Sequence, residues 1–212
     1  MKGLFVTGTD TGVGKTFVSC ALVRAARAAG HSVFAFKPIE TGTDSNLGDD
    51  QRILVEAAGA WQTGELRGVY QYSMPAAPLV AATADRRPID LEQIVRVYQL
   101  GADQADVVLV EGAGGLRVPI TDTVDMAALA ARLQMPLIIV ARAGLGTINH
   151  TLLTIEAAER DGLTTRGVVL SRRPVDDETF AESNASEIRR RWPGTVAVFA
   201  SDPRTLSQFL VA

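Results

Sequence analysis

The chain has 212 residues, of which 47% are hydrophobic and 21% charged, and this composition is typical of a globular protein rather than a disordered or fibrous one. A formal net charge of −3 gives no reason to expect nucleic acid or an anionic membrane as a partner. The single cysteine, Cys20, excludes an intramolecular disulfide framework, and no apolar run has the length of a signal peptide or membrane span, so we expect a cytoplasmic protein without a membrane partner.

Short apolar segments alternate with longer amphipathic segments along the chain. The predicted strands, in order, cover 3–8, 32–38, 106–112, 136–142, 166–171 and 195–199. The predicted helices cover about 15–29, 50–58, 90–101, 124–133, 148–161 and 178–191, and residues 59–88 form a long excursion without regular rhythm. Strands that are apolar nearly throughout are buried on both faces. The pattern therefore predicts an α/β fold in one domain, residues 1–212: a doubly wound, mostly parallel sheet with helices on both faces, which binds ligands beyond the carboxyl ends of its strands.

The first strand ends in "GTDTGVGKT", residues 8–16, and a helix follows directly. Glycines beside one lysine and one threonine at a strand-to-helix joint predict a phosphate-binding loop. Backbone N–H groups and the helix N-terminus would hold a triphosphate, Lys15 would bridge its outer phosphates, and Thr16 would offer its hydroxyl to magnesium. The general nucleotide loop places its first glycine at position 9, whereas this chain has Thr9 there and Gly8 one residue earlier.

Lysine is rare in this chain and stands at selected positions. There are only three lysines, Lys2, Lys15 and Lys37, against eighteen arginines. Lys37 closes the second predicted strand, "SVFAFKP". A lysine ammonium is a compact charge suited to phosphate or a small anion, whereas arginine is a planar fork. The selective use of lysine at the two strand ends therefore indicates that a compact charge is needed at Lys15 and Lys37.

Carboxylates near two other predicted strand and helix ends could complete a magnesium site. Glu111 follows the apolar strand in "DVVLVEGAGG", and a hard cation prefers such oxygen ligands. The glycines after it let a ligand approach the backbone. Asp49 and Asp50 open a helix, and from the residues alone the simpler interpretation of either is a helix N-cap. The segment "GLGTINH", residues 144–150, predicts a further helix N-terminus suited to an anion.

Taken in order, these motifs resemble those of the dethiobiotin synthetase family over most of the chain. The opening "GTDTGVGKT", the strand end "KP", the strand "VEGAGG" and the helix start "LGTINH" occur in the family's order and at similar intervals. The early first glycine is the family's own form of the loop. The resemblance implies a P-loop NTPase-like fold and a magnesium-dependent ligase of biotin biosynthesis. This enzyme would use a nucleoside triphosphate, with ATP as co-substrate, to close 7,8-diaminopelargonic acid with CO2 into dethiobiotin.

The resemblance also implies roles for individual residues. Lys15 and Lys37 are the expected catalytic cations, and Thr16, Asp50 and Glu111 the expected magnesium ligands, with Asp49 as the alternative to Asp50. The expected nucleotide-binding residues are Gly12, Val13, Gly14, Lys15, Thr16, Phe17, Glu111, Gly112, Ala113, Gly114 and Ser171. The expected substrate-binding residues are Thr11, Thr41, Gly146, Thr147, Ile148 and Asn149, the last four acting across the interface of a homodimer.

One departure and two rival functions remain open on sequence grounds. Where the family commonly has Asn-Asp, with the asparagine facing adenine, this chain has Ser171-Arg172, so we predict weaker discrimination between bases. A regulatory nucleotide switch would share the fold, but its loop carries a second lysine where this chain has Asp10. An amide-forming synthetase with a glutamine-hydrolysing domain would need a nucleophilic cysteine, and Cys20 lies on the first predicted helix instead.

Overall fold

The structure, a computed structural model, describes residues 3–210. Its strands are β1 (Gly3–Gly8), β2 (Val33–Phe36), β3 (Ile39–Thr41), β4 (Tyr70–Tyr72), β5 (Val107–Gly115), β6 (Leu137–Arg142), β7 (Thr165–Ser171) and β8 (Val196–Phe199). Its α-helices are α1 (Lys15–Ala28), α2 (Asp49–Ala57), α3 (Pro78–Ala84), α4 (Leu91–Ala102), α5 (Met126–Arg132), α6 (Thr147–Arg160) and α7 (Glu178–Arg191). Two 3-10 helices cover Gly64–Arg67 and Pro203–Phe209.

Six strands form one parallel sheet in the order β2-β5-β1-β6-β7-β8. Its strands are buried on both faces because successive side chains alternate between apolar cores on opposite sides of the sheet. Phe5 of β1 packs in one core, while its neighbours Leu4 and Val6 pack in the other. The α/β fold with a parallel sheet is confirmed.

The register of this sheet places the ends of three strands side by side. Val6 of β1 pairs with Glu111 of β5, and Phe36 at the end of β2 pairs with Val110. Lys37, the residue after Phe36, therefore lies next to Glu111, and both lie beside the loop that follows β1. Lys37, Glu111 and the loop after β1, which lie tens of residues apart in the sequence, are thus neighbours at the carboxyl edge of the sheet.

The predicted excursion at 59–88 contains more regular structure than its sequence indicates. It includes the 3-10 helix Gly64–Arg67, strand β4 and helix α3. Strand β4 pairs in parallel with β3, and the two form a separate two-stranded sheet. Both strands have only three residues, too few to show a periodic apolar pattern.

The single cysteine, Cys20, is buried on α1, and burial raises the pKa of its thiol to about 11.

Candidate active site

The loop between β1 and α1 has the backbone of a phosphate cradle. Gly12 and Gly14 both have positive φ values, 70° and 97°, which side chains with a Cβ atom rarely adopt. Gly14 is the N-cap of α1, so the first N–H groups of that helix lie at the loop. A Cβ atom at Gly14 would also lie 2.4 Å from Ser171 Oγ, so the end of β7 packs directly against the loop.

Two predicted site residues donate hydrogen bonds to the buried carboxylate of Glu111, and a third contacts one of them. Glu111 Oε1 accepts a hydrogen bond from Thr16 Oγ1 at 2.8 Å and another from Lys37 Nζ at 3.0 Å. Lys37 Nζ also forms an ion pair and hydrogen bond with Asp50 Oδ2. The second oxygen, Glu111 Oε2, is buried and has no hydrogen-bond partner among the described residues. The ammonium of Lys37 thus bridges two carboxylates that the sequence places 61 positions apart.

Burial and charge act differently on the two lysines. Burial opposes the charged form of Lys37, but Glu111 and Asp50 outweigh burial and raise the pKa of this ammonium above its usual range. Burial lowers the pKa of Lys15, the nearby charge of Lys37 lowers it further, and Glu111 only partly opposes both. Between residues 3 and 210, Lys15 forms no ion pair, so its charge is available to an anion that enters the loop.

Asp50 belongs to the site and Asp49 does not. The side chain of Asp49 is 87% exposed and pairs with Arg52 on the surface of α2. Burial opposes ionisation of Asp50, yet the ammonium of Lys37 outweighs it and lowers the pKa of that carboxyl. The suggestion that either aspartate is the N-cap is wrong, because the N-cap of α2 is Gly48.

The N-terminus of α2 is held by two buried polar residues that the sequence analysis did not select. Glu40 accepts hydrogen bonds from the backbone N–H groups of Asp50 and Gln51, at 3.0 and 2.9 Å. The side chain of Gln51 accepts from Gly48 N at 3.1 Å and donates to the carbonyl oxygen of Lys37 at 3.1 Å. In the sequence Glu40 follows the segment "KPI", so no apolar run marks it as a site residue. These contacts fix the backbone that carries Asp50 relative to the backbone that carries Lys37.

A cavity of about 560 Å³ lies against this cluster. Its lining includes these predicted site residues: Thr11, Gly12, Gly14, Lys15, Thr16, Phe17, Lys37, Thr41, Asp50, Ala113 and Gly114. Four further predicted residues, Val13, Glu111, Gly112 and Ser171, are buried. The remaining wall consists mainly of small and apolar residues, among them a run of Pro75, Ala76, Ala77 and Pro78.

The predicted residues at the start of α6 do not line this cavity. Gly146 is the N-cap of α6 with a positive φ of 89°, and Asn149 is exposed on the first turn. Thr147 is buried, and its Oγ1 has no hydrogen-bond partner in the part of the chain described. Ile148 packs against the core formed with β6 and β7. Within one chain, the "GLGTINH" segment and the main cavity are therefore separate features.

The oxygen donors of Thr16, Asp50 and Glu111 suit a hard cation such as Mg²⁺. The described residues contain no group of three or more His, Cys, Asp or Glu side chains placed to hold a metal ion. Two carboxylates and one hydroxyl leave most of an octahedral shell to waters and to the phosphate oxygens of a nucleotide, which is the usual arrangement for Mg²⁺. The site therefore fits magnesium that is bound together with a nucleotide.

The parallel sheet, the glycine loop before α1 and the lysine it carries define a P-loop nucleotide-binding protein of the α/β class. A protein-family model described as an AAA domain matches residues 2–205. Among solved structures, a chain of the MinC:MinD cell division protein complex of Aquifex aeolicus superposes with a TM-score of 0.58, at 14% identity over 99% of this chain and 85% of that chain. MinD of Pyrococcus horikoshii, complexed with Mg-ADP, gives a TM-score of 0.55 at 17% identity, with the same coverage of both chains. These two likenesses concern the fold alone.

Curated relatives give the family. The ATP-dependent dethiobiotin synthetase BioD of Anaeromyxobacter dehalogenans (strain 2CP-C) is 49% identical over 190 residues, 90% of this chain and 85% of that protein. The protein of the same name from Aromatoleum aromaticum is 40% identical over 195 residues, 90% of this chain and 86% of that protein. The chain belongs to the dethiobiotin synthetase family, and it is an ATP-dependent enzyme of the ligase type. The resemblance seen in the sequence motifs is confirmed.

No helix between residues 3 and 210 is long and apolar enough to cross a membrane.

Proposed function

We propose that this protein closes 7,8-diaminopelargonic acid with CO2 into dethiobiotin, using magnesium and a nucleoside triphosphate, normally ATP. One amino group of the substrate adds to CO2 and loses a proton, which gives a carbamate. An oxygen of the carbamate attacks the γ-phosphorus and the nucleoside diphosphate leaves. The second amino group then attacks the carbamate carbon and loses a proton. Phosphate leaves together with the carbamate oxygen that had attacked phosphorus, and the cyclic urea remains.

The observation that carries this proposal is the position of Lys37 beside the phosphate loop and at the wall of the cavity. No residue has to act as a nucleophile in this sequence of steps, so catalysis depends on positioning and on stabilising charge. Lys15 would hold the outer phosphates, and Lys37 would stabilise the carbamate and the phosphoryl oxygens in transfer. Thr16, Asp50 and Glu111 would hold magnesium, which when bound supplies positive charge to the phosphates.

Substrate contacts would come from two places. Thr11 and Thr41 line the cavity next to the loop and would contact the diamine. Gly146, Thr147, Ile148 and Asn149 would bind the distal carboxylate of the substrate at the N-terminus of α6 of a second subunit. The separation of this helix start from the main cavity within one chain supports a shared site in a homodimer. The unpartnered hydroxyl of Thr147 supports a polar ligand or partner at this position.

The nucleotide contacts would follow the loop and the two strands beside it. Gly12, Val13 and Gly14 would surround the phosphates, while Phe17 would lie nearer the nucleoside. Gly112, Ala113 and Gly114, which continue β5 beyond Glu111, would approach the γ-phosphate with their backbone. Ser171 would lie at the base or sugar end, where β7 meets the loop.

The experiment that tests this function is direct. The purified protein is incubated with diaminopelargonate, bicarbonate, magnesium and ATP, and dethiobiotin is measured by mass spectrometry. We expect dethiobiotin in proportion to phosphate released. Phosphate release without dethiobiotin would favour a regulatory nucleotide switch.

A further inference from the structure

The ammonium of Lys37 occupies the position between two carboxylates that a divalent cation would also need. Lys37 Nζ lies 3.0 Å from Glu111 Oε1 and contacts Asp50 Oδ2. Thr16 Oγ1, the third oxygen of the set, donates to the same Glu111 Oε1. The positive charge that neutralises these ligands in the structure is therefore supplied by the protein itself.

Because both groups are buried, the negative charge of Glu111 needs a cation beside it. The side chain of Glu111 is 0% exposed and that of Lys37 is 7% exposed, so neither can exchange its partner for bulk water in place. A buried carboxylate without a cation carries a large desolvation penalty. Glu111 Oε2 already lacks a partner among the described residues, so Oε1 depends on Thr16 and Lys37. The side chain of Asp50 is 39% exposed, so a cation could approach the site from that side. It would find the carboxylate of Asp50 already paired with Lys37.

We propose that the Lys37 ammonium competes with a divalent metal ion for the carboxylates of Asp50 and Glu111 in the nucleotide-free enzyme. It is displaced from them when the metal ion binds together with nucleotide. This inference rests on the proposed magnesium site. Two carboxylates and a hydroxyl are a poor set for a metal ion that must also displace a paired ammonium. Phosphate oxygens add ligands and attract the displaced Lys37 at the same time, which makes the exchange favourable.

Through this exchange, binding of metal and nucleotide would release the Lys37 ammonium for contact with the substrate. While Lys37 is paired with both carboxylates, its charge is neutralised and unavailable to a substrate. Once a metal ion has taken over the carboxylates, the ammonium is free to turn to an anion in the adjacent cavity. Metal and nucleotide would then bind with positive coupling, and Lys37 would act only in the loaded enzyme.

The test is metal binding to the full-length protein without nucleotide, with Mn²⁺ as the probe and electron paramagnetic resonance as the readout. We expect Lys37→Met and Lys37→Gln to bind Mn²⁺ at least about tenfold more tightly than the unsubstituted protein, because the competing charge is gone. Lys37→Gln keeps a hydrogen-bond donor for the carboxylates and serves if the methionine variant folds poorly. Lys15→Met is the matched control, because it removes a buried charge from the same cavity but breaks no carboxylate pair.

Adding Asp50→Asn to either Lys37 variant should abolish the gain in Mn²⁺ affinity. Thermal unfolding gives a second readout, since Mg²⁺ should raise the Tm of the Lys37 variants and leave that of the unsubstituted protein unchanged. Equal Mn²⁺ affinity in the Lys37 variants and the unsubstituted protein would overturn the proposal. So would an equal gain in Lys15→Met, because the effect would then be one of net charge. Neither outcome depends on whether dethiobiotin is formed, so this test and that of the proposed function fail separately.

Discussion

The carboxylate of Glu40 accepts a hydrogen bond from the backbone N–H of Asp50 at 3.0 Å. Through this contact, strand β3 holds the first turn of α2, which carries a proposed metal ligand. A negative charge at this position also complements the positive end of the helix. The geometry of Asp50 and Lys37 therefore depends on a residue outside the proposed set of metal, nucleotide and substrate ligands.

The closeness of Glu40 to Gly48 makes Gly48→Ala a sharp test of this arrangement. A Cβ atom at Gly48 would lie 2.1 Å from Glu40 Cδ, whereas the φ of −68° at Gly48 suits alanine. We expect a loss of about 1–3 kcal/mol in the free energy of unfolding, caused by displacement of Glu40. The measurement is denaturant unfolding. Gly144→Ala is the control, because its Cβ atom would meet only Arg142 at 3.7 Å, an ordinary contact, and unchanged stability in both variants would contradict the contact.

Lys37→Ala should reduce turnover far more than nucleotide affinity, because the loop and Lys15 hold the phosphates independently. Loss of one preorganised charge donor typically lowers the rate by about 10²-fold or more. Lys37→Arg should recover little activity, since a planar guanidinium does not replace a compact charge at the carbamate and phosphoryl oxygens. Single-turnover rates and nucleotide titrations separate the two effects. Near-normal synthesis by the alanine variant would remove Lys37 from the reaction.

Subunit complementation tests the shared site. A Lys37→Ala chain and an Asn149→Ala chain are given different tags, mixed, and purified as a heterodimer. In a shared arrangement one of its two sites has both Lys37 and Asn149, so the heterodimer should be far more active than either variant alone. If both variants are strongly impaired and the confirmed heterodimer is no better, the distal carboxylate is bound within one chain.

Relaxed choice of nucleotide is expected from the environment of Ser171 and Arg172. Ser171 is buried against the loop, and the Arg172 guanidinium is held by the carbonyl oxygen of Asp176 at 3.3 Å and by Glu178 at 3.4 Å. Neither side chain offers the paired donor and acceptor with which an asparagine discriminates adenine. We expect kcat/KM for CTP or GTP within about tenfold of that for ATP, a difference of about 1.4 kcal/mol.

The measurement is kcat/KM for four triphosphates at one magnesium concentration. A preference for ATP of more than about a hundredfold, or about 2.7 kcal/mol, would mean that other residues bind adenine selectively. Ser171→Asn should in that case change little, whereas in a relaxed site it should increase the preference for ATP.

The sequence predicted the main sheet well because each of its strands is apolar on both faces. The segments 3–8 and 166–171 match β1 and β7 to within one residue, and α1 begins at Lys15 as expected. It did not predict β3, β4 or the helix α3, because three to seven residues are too few for a clear period. The local pattern there is dominated by contacts with distant residues, such as Gln51 Nε2 donating to Tyr70 O at 3.3 Å.

The candidate site was predictable where one residue type stood out against the rest of the chain. Lys37 and Glu111 are single charges at the ends of apolar strands, and the structure brings them together. Asp49 and Asp50 could not be separated in the sequence, since adjacent helix positions differ only in the direction they face. Glu40 and Gln51 were missed because most of their partners are backbone groups, which leave no signature in the sequence.

The most direct test of the account is to follow the oxygen atoms of CO2 through the reaction. The enzyme is supplied with ¹⁸O-labelled CO2, diaminopelargonate, magnesium and ATP, and sampled before the label exchanges with water. If the carbamate attacks the γ-phosphorus, one ¹⁸O must appear in the phosphate released and one in the ring carbonyl of dethiobiotin. Labelled dethiobiotin with unlabelled phosphate would contradict phosphoryl transfer to the carbamate, and the absence of dethiobiotin from a protein that hydrolyses ATP would contradict the proposed function itself.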